Sequence, residues 1–128
     1  HAGWRSTVGG MVTNLIDAMT AMYQTCPEDL LAAIGPHIGP CCFEVDPPVG
    51  KAFAEAFPKA GCVLPGKNPG KRQLDLTRAS AYQMYRAGLF GENLTISDEC
   101  TCCNGDLFFS YRRDGKACGA MASFLQLR

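Results

Sequence analysis

Gly35-Pro36-His37-Ile38-Gly39-Pro40-Cys41-Cys42-Phe43-Glu44-Val45-Asp46-Pro47 is the stretch that decides the fold. Its first six residues hold two glycines and two prolines. Proline removes a backbone donor and fixes φ, so this segment is neither helix nor ladder-paired strand but a stiff, shaped loop. Before it, the apolar run Leu30–Ile34 reads as a short buried strand. After it, Cys41–Val45 resumes as strand. Asp46 then stands as an N-cap with Pro47 at the first helical position. The helix it opens runs to about Phe57, with Val49, Phe53 and Phe57 on one side.

Outward from this centre, Met11, Leu15, Ala18 and Met22 fall at helical spacing and predict a helix over 6–23. Gly9 and Gly10 weaken its first turns and let a backbone or ligand approach closely. Downstream, Pro65–Lys71 is an exposed loop and Gln73–Leu76 a short strand. Thr77–Ala87 is a helix with Gly88 at its C′ position. Leu94–Ser97 is a further strand. Leu107–Arg112 and Cys118–Leu127 read as two strands joined through Asp114-Gly115, a hairpin signal. This irregular alternation, with an antiparallel hairpin at the end, predicts an α+β or layered αβ fold rather than a doubly wound sheet.

The chain has 128 residues, 47% hydrophobic and 19% charged, as in ordinary globular proteins. Twelve basic residues balance twelve acidic ones, which leaves no electrostatic footprint for nucleic acid or an anionic membrane. No apolar run approaches the ~20 residues of a membrane span. The eight cysteines are expected as reduced thiols of a cytoplasmic protein rather than a disulfide framework. No Gly-x-Gly-x-x-Gly or Walker A sequence occurs, so neither nucleotide loop is supported.

His1 is the strongest single ligand candidate, because a neutral imidazole suits zinc, copper or iron. A lone histidine is nevertheless more often structural. Arg5, near the start of the first helix, offers a guanidinium fork beside backbone N–H groups, an arrangement suited to phosphate or carboxylate. The competing reading is a salt-bridged surface arginine. His37 is expected as a loop or rim residue. On a strand, Cys41 and Cys42 would alternate faces, so at most one would face a site. Cys100-Thr101-Cys102-Cys103 lacks a matched pair of C-x-x-C motifs. A four-thiolate zinc site drawn from this cluster and Cys41-Cys42 is the minority reading. One of Arg112 and Arg113 is expected to reach an anion and the other to pair with Asp114. Phe108, Phe109 and Met121 are expected in the core.

Taken in order, His1-Ala2-Gly3-Trp4-Arg5, Gly35-Pro36-His37-Ile38-Gly39-Pro40-Cys41-Cys42-Phe43-Glu44-Val45, Leu74-Asp75-Leu76, Cys100-Thr101, Phe108-Phe109-Ser110-Tyr111-Arg112-Arg113-Asp114 and Met121-Ala122-Ser123-Phe124 resemble the YfiH-like family. These proteins are also called laccase-domain proteins or multicopper polyphenol oxidases, and are now described as purine nucleoside phosphorylases. The peptidoglycan editing factor is a member. The resemblance implies an αββα layered sandwich, with residues 1–128 forming the C-terminal part of a single such domain. It implies a metal site of two histidines and one cysteine, normally zinc with copper as the alternative. His1 inherits one ligand role, and the other ligands lie upstream of this chain. No cysteine here inherits the third role.

The implied activity is phosphorolysis of adenosine, inosine and methylthioadenosine, with adenosine deamination as a second reaction. Arg5 and, less directly, Arg112 are the expected phosphate contacts, and no catalytic residue is assigned. The implied partners are a nucleoside and phosphate, with a homodimer as the assembly. Copper-dependent phenol oxidation and hydrolysis of a peptidoglycan-precursor amide are the rival activities. The chain departs from the family pattern at Ser6, where glycine is usual, at Ser80, where asparagine is common, and at Ala120, where arginine often stands.

Overall fold

The computed structural model describes residues 1–126. The expected first helix is two: α1 (Trp4–Val8) and α2 (Met11–Tyr23). The break falls at Gly10, whose left-handed backbone (φ +77°) no helix interior accommodates. The buried side of α2 carries Val12 and Ile16, while Leu15 and Met22 are 55% and 71% exposed. The expected stripe is therefore displaced by one residue. Apolar residues occupy both neighbouring registers of this helix, so spacing alone does not choose between them.

Two small sheets follow. β1 (Ala32–Ile34) pairs in parallel with β5 (Leu94–Ile96), Ala32 facing Leu94 and Ile34 facing Ile96. The pairing outlasts the strands. Ser97 N–H donates to the Ile34 carbonyl at 2.9 Å, and beyond Gly35-Pro36 a lone bridge joins His37 to Cys100. The second sheet is antiparallel in the order β2-β4-β3, from β2 (Glu44–Val45), β3 (Val63–Pro65) and β4 (Arg72–Leu74). The sequence patterning did not anticipate β3.

Helix α3 (Pro47–Ala56) begins at Pro47 as expected. Asp46 is extended at the N-cap, but its carboxylate pairs with Lys71 rather than with the helix amides. Phe53 is fully buried and Phe57 nearly so, stacked edge to face at 5.7 Å between centroids. Around them pack Phe43, Val45, Cys62, Leu74 and Ala79, which form the core. Helix α4 (Leu76–Arg86) is capped by Asp75, whose carboxylate accepts from the Arg78 N–H at 2.9 Å. Gly88 follows its end at φ +103°. Helices and two sheets make the architecture α+β.

The expected terminal hairpin does not form among the described residues. The Ser110 carbonyl accepts from the N–H groups of Arg113 (3.1 Å) and Asp114 (2.8 Å), closing the helical turn α5 (Tyr111–Asp114). Residues 118–126 carry no regular structure, and position 127 of the expected strand lies outside the described residues. Phe109 and Met121 are each 51% exposed rather than core. Asp114-Gly115 does turn the chain, but the turn ends a helical segment and not a strand. No helix is long and apolar enough to cross a membrane among the described residues.

Candidate functional site

Two groups of chemistry-bearing residues emerge. The first is the N-terminal edge. Thr7 is fully buried, and its hydroxyl donates to the Ala2 carbonyl at 3.2 Å. Its own carbonyl accepts from Gln83 Nε2 of α4 at 3.1 Å, which moors α1. Ser6 Oγ donates to the Gly3 carbonyl at 2.9 Å. The departure at Ser6 thus adds a clasp on the segment that carries His1. His1 is exposed, and its ring folds back onto Gly3: Nε2 lies 3.0 Å from where a Cβ at position 3 would stand. The small residue at position 3 is what leaves the imidazole room.

Arg5 is exposed and stacks on its neighbour Trp4, the guanidinium carbon 4.2 Å from the ring centroid. It forms no ion pair among the described residues. The helix it belongs to has only five residues, so little helix dipole stands beside the guanidinium. Arg112 is exposed and lies over Phe43 at 5.0 Å, with one N–H donating to the Glu44 carbonyl at 2.8 Å. Arg113 is the paired arginine: it grips Asp114 at 2.7 Å and donates to the carbonyls of Thr101 and Phe108, each at 2.9 Å. His37 is committed at both nitrogens. Nδ1 faces the Gly35 carbonyl at 3.0 Å, and Nε2 meets the Thr77 hydroxyl. That makes it a loop-stiffening residue, as its position suggested.

The second group is a thiol cluster. Cys41 and Cys42 do not sit on a strand. They lie in a tight turn whose Gly39 carbonyl accepts from both the Cys42 and Phe43 N–H groups at 3.0 Å. In a turn the alternation of faces fails, and both sulfurs approach Cys103, at 3.6 Å from Cys41 and 3.4 Å from Cys42. This overturns the expectation that only one of the pair would face a site. A matching turn at Cys100, whose carbonyl accepts from Cys103 and Asn104, presents Cys100 and Cys103 together. The four sulfurs of Cys41, Cys42, Cys100 and Cys103 lie within 4.8 Å of one another. Gly39 N–H donates to Cys100 Sγ at 3.2 Å.

The protons of the cluster are unequally held. Burial disfavours a Cys100 thiolate, but amide donors from Gly39, Cys103 and Cys102 outweigh it and bring that thiol down to about 6. Cys42 is pushed well up by its hydrogen bond to Cys103 and then by burial. Burial, followed by hydrogen bonding to Cys100 and Cys103, raises Cys41.

Sequence reasoning missed two members, the Gly39 amide and the Thr77 hydroxyl. Gly-Pro directly before Cys41 was the signal for a turn in place of a strand. Two shallow surface depressions, of about 480 and 380 Å³, lie over α3, β3 and β4, and neither contains His1, Arg5, Arg112 or the thiols.

The whole of this pattern, residues 1–128, matches the family model described as multi-copper polyphenol oxidoreductase laccase. The chain belongs to that laccase-domain family. Among its relatives, the purine nucleoside phosphorylase YlmD of Geobacillus stearothermophilus is 38% identical across 100% of this chain and 47% of its own length. The purine nucleoside phosphorylase YfiH of Escherichia coli is 35% identical across 99% and 49%. The crystal structure of the Geobacillus YlmD superposes with a TM-score of 0.82 at 37% identity, over 88% of this chain and 42% of that one. The laccase-domain chain therefore spans about half the length of these bacterial relatives.

Proposed function

We propose that this chain supplies one wall of a zinc-dependent purine nucleoside phosphorylase, cleaving adenosine, inosine and methylthioadenosine with phosphate and deaminating adenosine as a second reaction. The observation that carries the reading is family membership over the whole chain, with relatives at 35–38% identity that bear the phosphorylase name. Among the residues present, His1 fits a metal: an exposed imidazole with its ring accommodated by Gly3. It is one donor of the three that the family pattern implies. When bound, zinc would supply Lewis-acid polarisation and an activated water for deamination.

The chain's own residues then bind and orient. His1 would hold the metal, and the Ser6 and Thr7 hydroxyls tie the segment that carries it to α1. Arg5 would receive phosphate. Stacking on Trp4 holds the guanidinium plane, leaving the polar edge free for bidentate contact with phosphate oxygens. Arg112 is the second anion contact, with one N–H held by the Glu44 carbonyl and the rest of its fork exposed.

The test uses protein expressed from its complete reading frame and loaded with zinc. Adenine, inosine and ribose 1-phosphate are followed by chromatography from adenosine with and without phosphate. Phosphate-dependent adenine formation is expected, abolished by His1→Ala and reduced roughly a hundredfold in kcat/KM by Arg5→Ala. An enzyme that holds zinc sensitive to His1→Ala yet turns over no nucleoside would overturn the reading. Phenol oxidation and precursor-amide hydrolysis are the activities to assay next in that event.

A further inference from the structure

We propose that Cys41, Cys42, Cys100 and Cys103 form a metal site separate from His1, a tetrathiolate that takes zinc as a structural ion and ties the 39–43 turn to the 100–104 turn. The site is built by long-range pairing. Parallel bonding of β1 to β5 continues through His37 and Cys100, which delivers one cysteine turn against the other. The Gly-Pro loop supplies the rest, because it converts the Cys41-Cys42 segment into a turn with both sulfurs on one side.

The spacing suits the ion. Zinc–sulfur bonds of about 2.3 Å in a tetrahedron set sulfur–sulfur edges of roughly 3.8 Å. The cluster has two separations at 3.4 and 3.6 Å and none beyond 4.8 Å. A disulfide fits less well. Cys103 touches both Cys41 and Cys42, and a disulfide of about 2.05 Å would take one of them and exclude the other. A central ion uses all four.

Four thiolates on a divalent ion carry net charge −2, and the surroundings answer it. Gly39 N–H already points at Cys100 Sγ at 3.2 Å. Lys67 Nζ sits on the Cys41 carbonyl at 2.7 Å. Arg113 lies against the carbonyls of Thr101 and Cys102 at 2.9 and 3.4 Å. Outer partners of this kind orient thiolates and offset their charge. With four protein ligands no coordination position stays open, so the ion holds structure and does no chemistry. Soft thiolates in tetrahedral array select zinc among the common divalent ions. Cys102 lies between the ligands in sequence but outside the cluster, which makes it the internal control.

The experiment uses the full reading frame carrying His1→Ala, so that any metal at the N-terminal edge is silenced and the two sites fail separately. Bound metal is measured by atomic emission, and zinc is exchanged for cobalt. The expected protein keeps one zinc per chain, and its cobalt form shows strong thiolate charge transfer with intense tetrahedral d–d bands. Cys103→Ser and Cys42→Ser are expected to weaken zinc in chelator competition by more than about a hundredfold, beyond the effect of losing an outer partner. Cys102→Ser should leave zinc unchanged. The cobalt spectrum of the unmutated cysteines keeps the test independent of whether a ligand variant folds. A His1→Ala protein without zinc, zinc retained by both ligand variants, iron in its place, or a mapped disulfide from Cys103 to Cys41 or Cys42 in thiol-trapped protein would each overturn the proposal.

Discussion

The thiol cluster and the N-terminal edge carry comparable chemical potential but are built by opposite means. The cluster joins two turns about sixty residues apart, each closed by its own backbone bonds, and its first turn runs directly into the core through Phe43. At the edge, His1 and Arg5 sit four residues apart in sequence, both exposed, secured by hydroxyls of the next two residues on a helix that rests on the core through Trp4 and Val8. A site assembled from distant turns has its geometry set by the fold, whereas two exposed side chains on one edge are placed mainly by their immediate neighbours. The cluster should therefore respond to core mutations, whereas truncating the exposed side chains of His1 or Arg5 should leave stability little changed.

Phe53→Ala is the largest way to break this contrast. Phe53 is fully buried and packs with Phe43, Phe57 and Leu74. Truncation should cost about 3–5 kcal/mol in denaturant unfolding. The same assay should register less than about 0.5 kcal/mol for Arg5→Ala. Equal losses would mean that the exposed Arg5 side chain itself contributes as much to folding as a core residue. Gly39→Ala is more pointed. A Cβ there would stand 3.2 Å from Cys41 Sγ and 3.4 and 3.5 Å from the Cys100 Cβ and Sγ. Overpacking of this kind should cost about 1–3 kcal/mol and spread the sulfurs. The cobalt spectrum of that variant would show distorted or missing tetrahedral bands. An unaltered spectrum would show that the turn has slack the spacing does not suggest.

The physics that made some features legible explains why others were not. Pro47 after Asp46 marked a helix start because proline suits only that end, and α3 begins there. Gly88 marked the end of α4 for a similar local reason, whereas its start was missed: Asp75, inside the expected strand 73–76, caps the helix instead. β3 escaped because three residues hold too little pattern to register, and its existence depends on β4 lying beside it. The α2 stripe was misplaced because two adjacent apolar registers compete there, and packing chose Val12 and Ile16. Where the hairpin was expected, the Ser110 carbonyl closes a helical turn instead, and Arg113 of that turn reaches the distant Thr101 carbonyl, a tertiary contact that local pattern does not carry. The cysteines were visible as candidates, but their convergence was not, since it rests on a parallel pairing that spans sixty residues.

The smallest expected effect tests that Arg113 anchor. The Arg113 guanidinium, hydrogen-bonded to Asp114, holds the Asp114 carboxyl below its usual value, helped by the Ser110 N–H and opposed by partial burial. A carboxyl lowered on folding adds stability that is fully present above its unfolded pKa of about 3.9 and is lost as pH falls through the lower folded value. The stability difference between the parent and Asp114→Asn should thus be flat from neutral pH to about 5, shrink below about 4, and vanish once the folded carboxyl is protonated. The pair is partly exposed, so added salt should reduce the difference at neutral pH. Acid would also displace metal from thiolates, but that loss is common to both proteins and cancels in the difference. A difference that survives unchanged in acid would place the contribution of Asp114 in its hydrogen bond to the Ser110 amide, at 3.3 Å, rather than in its charge.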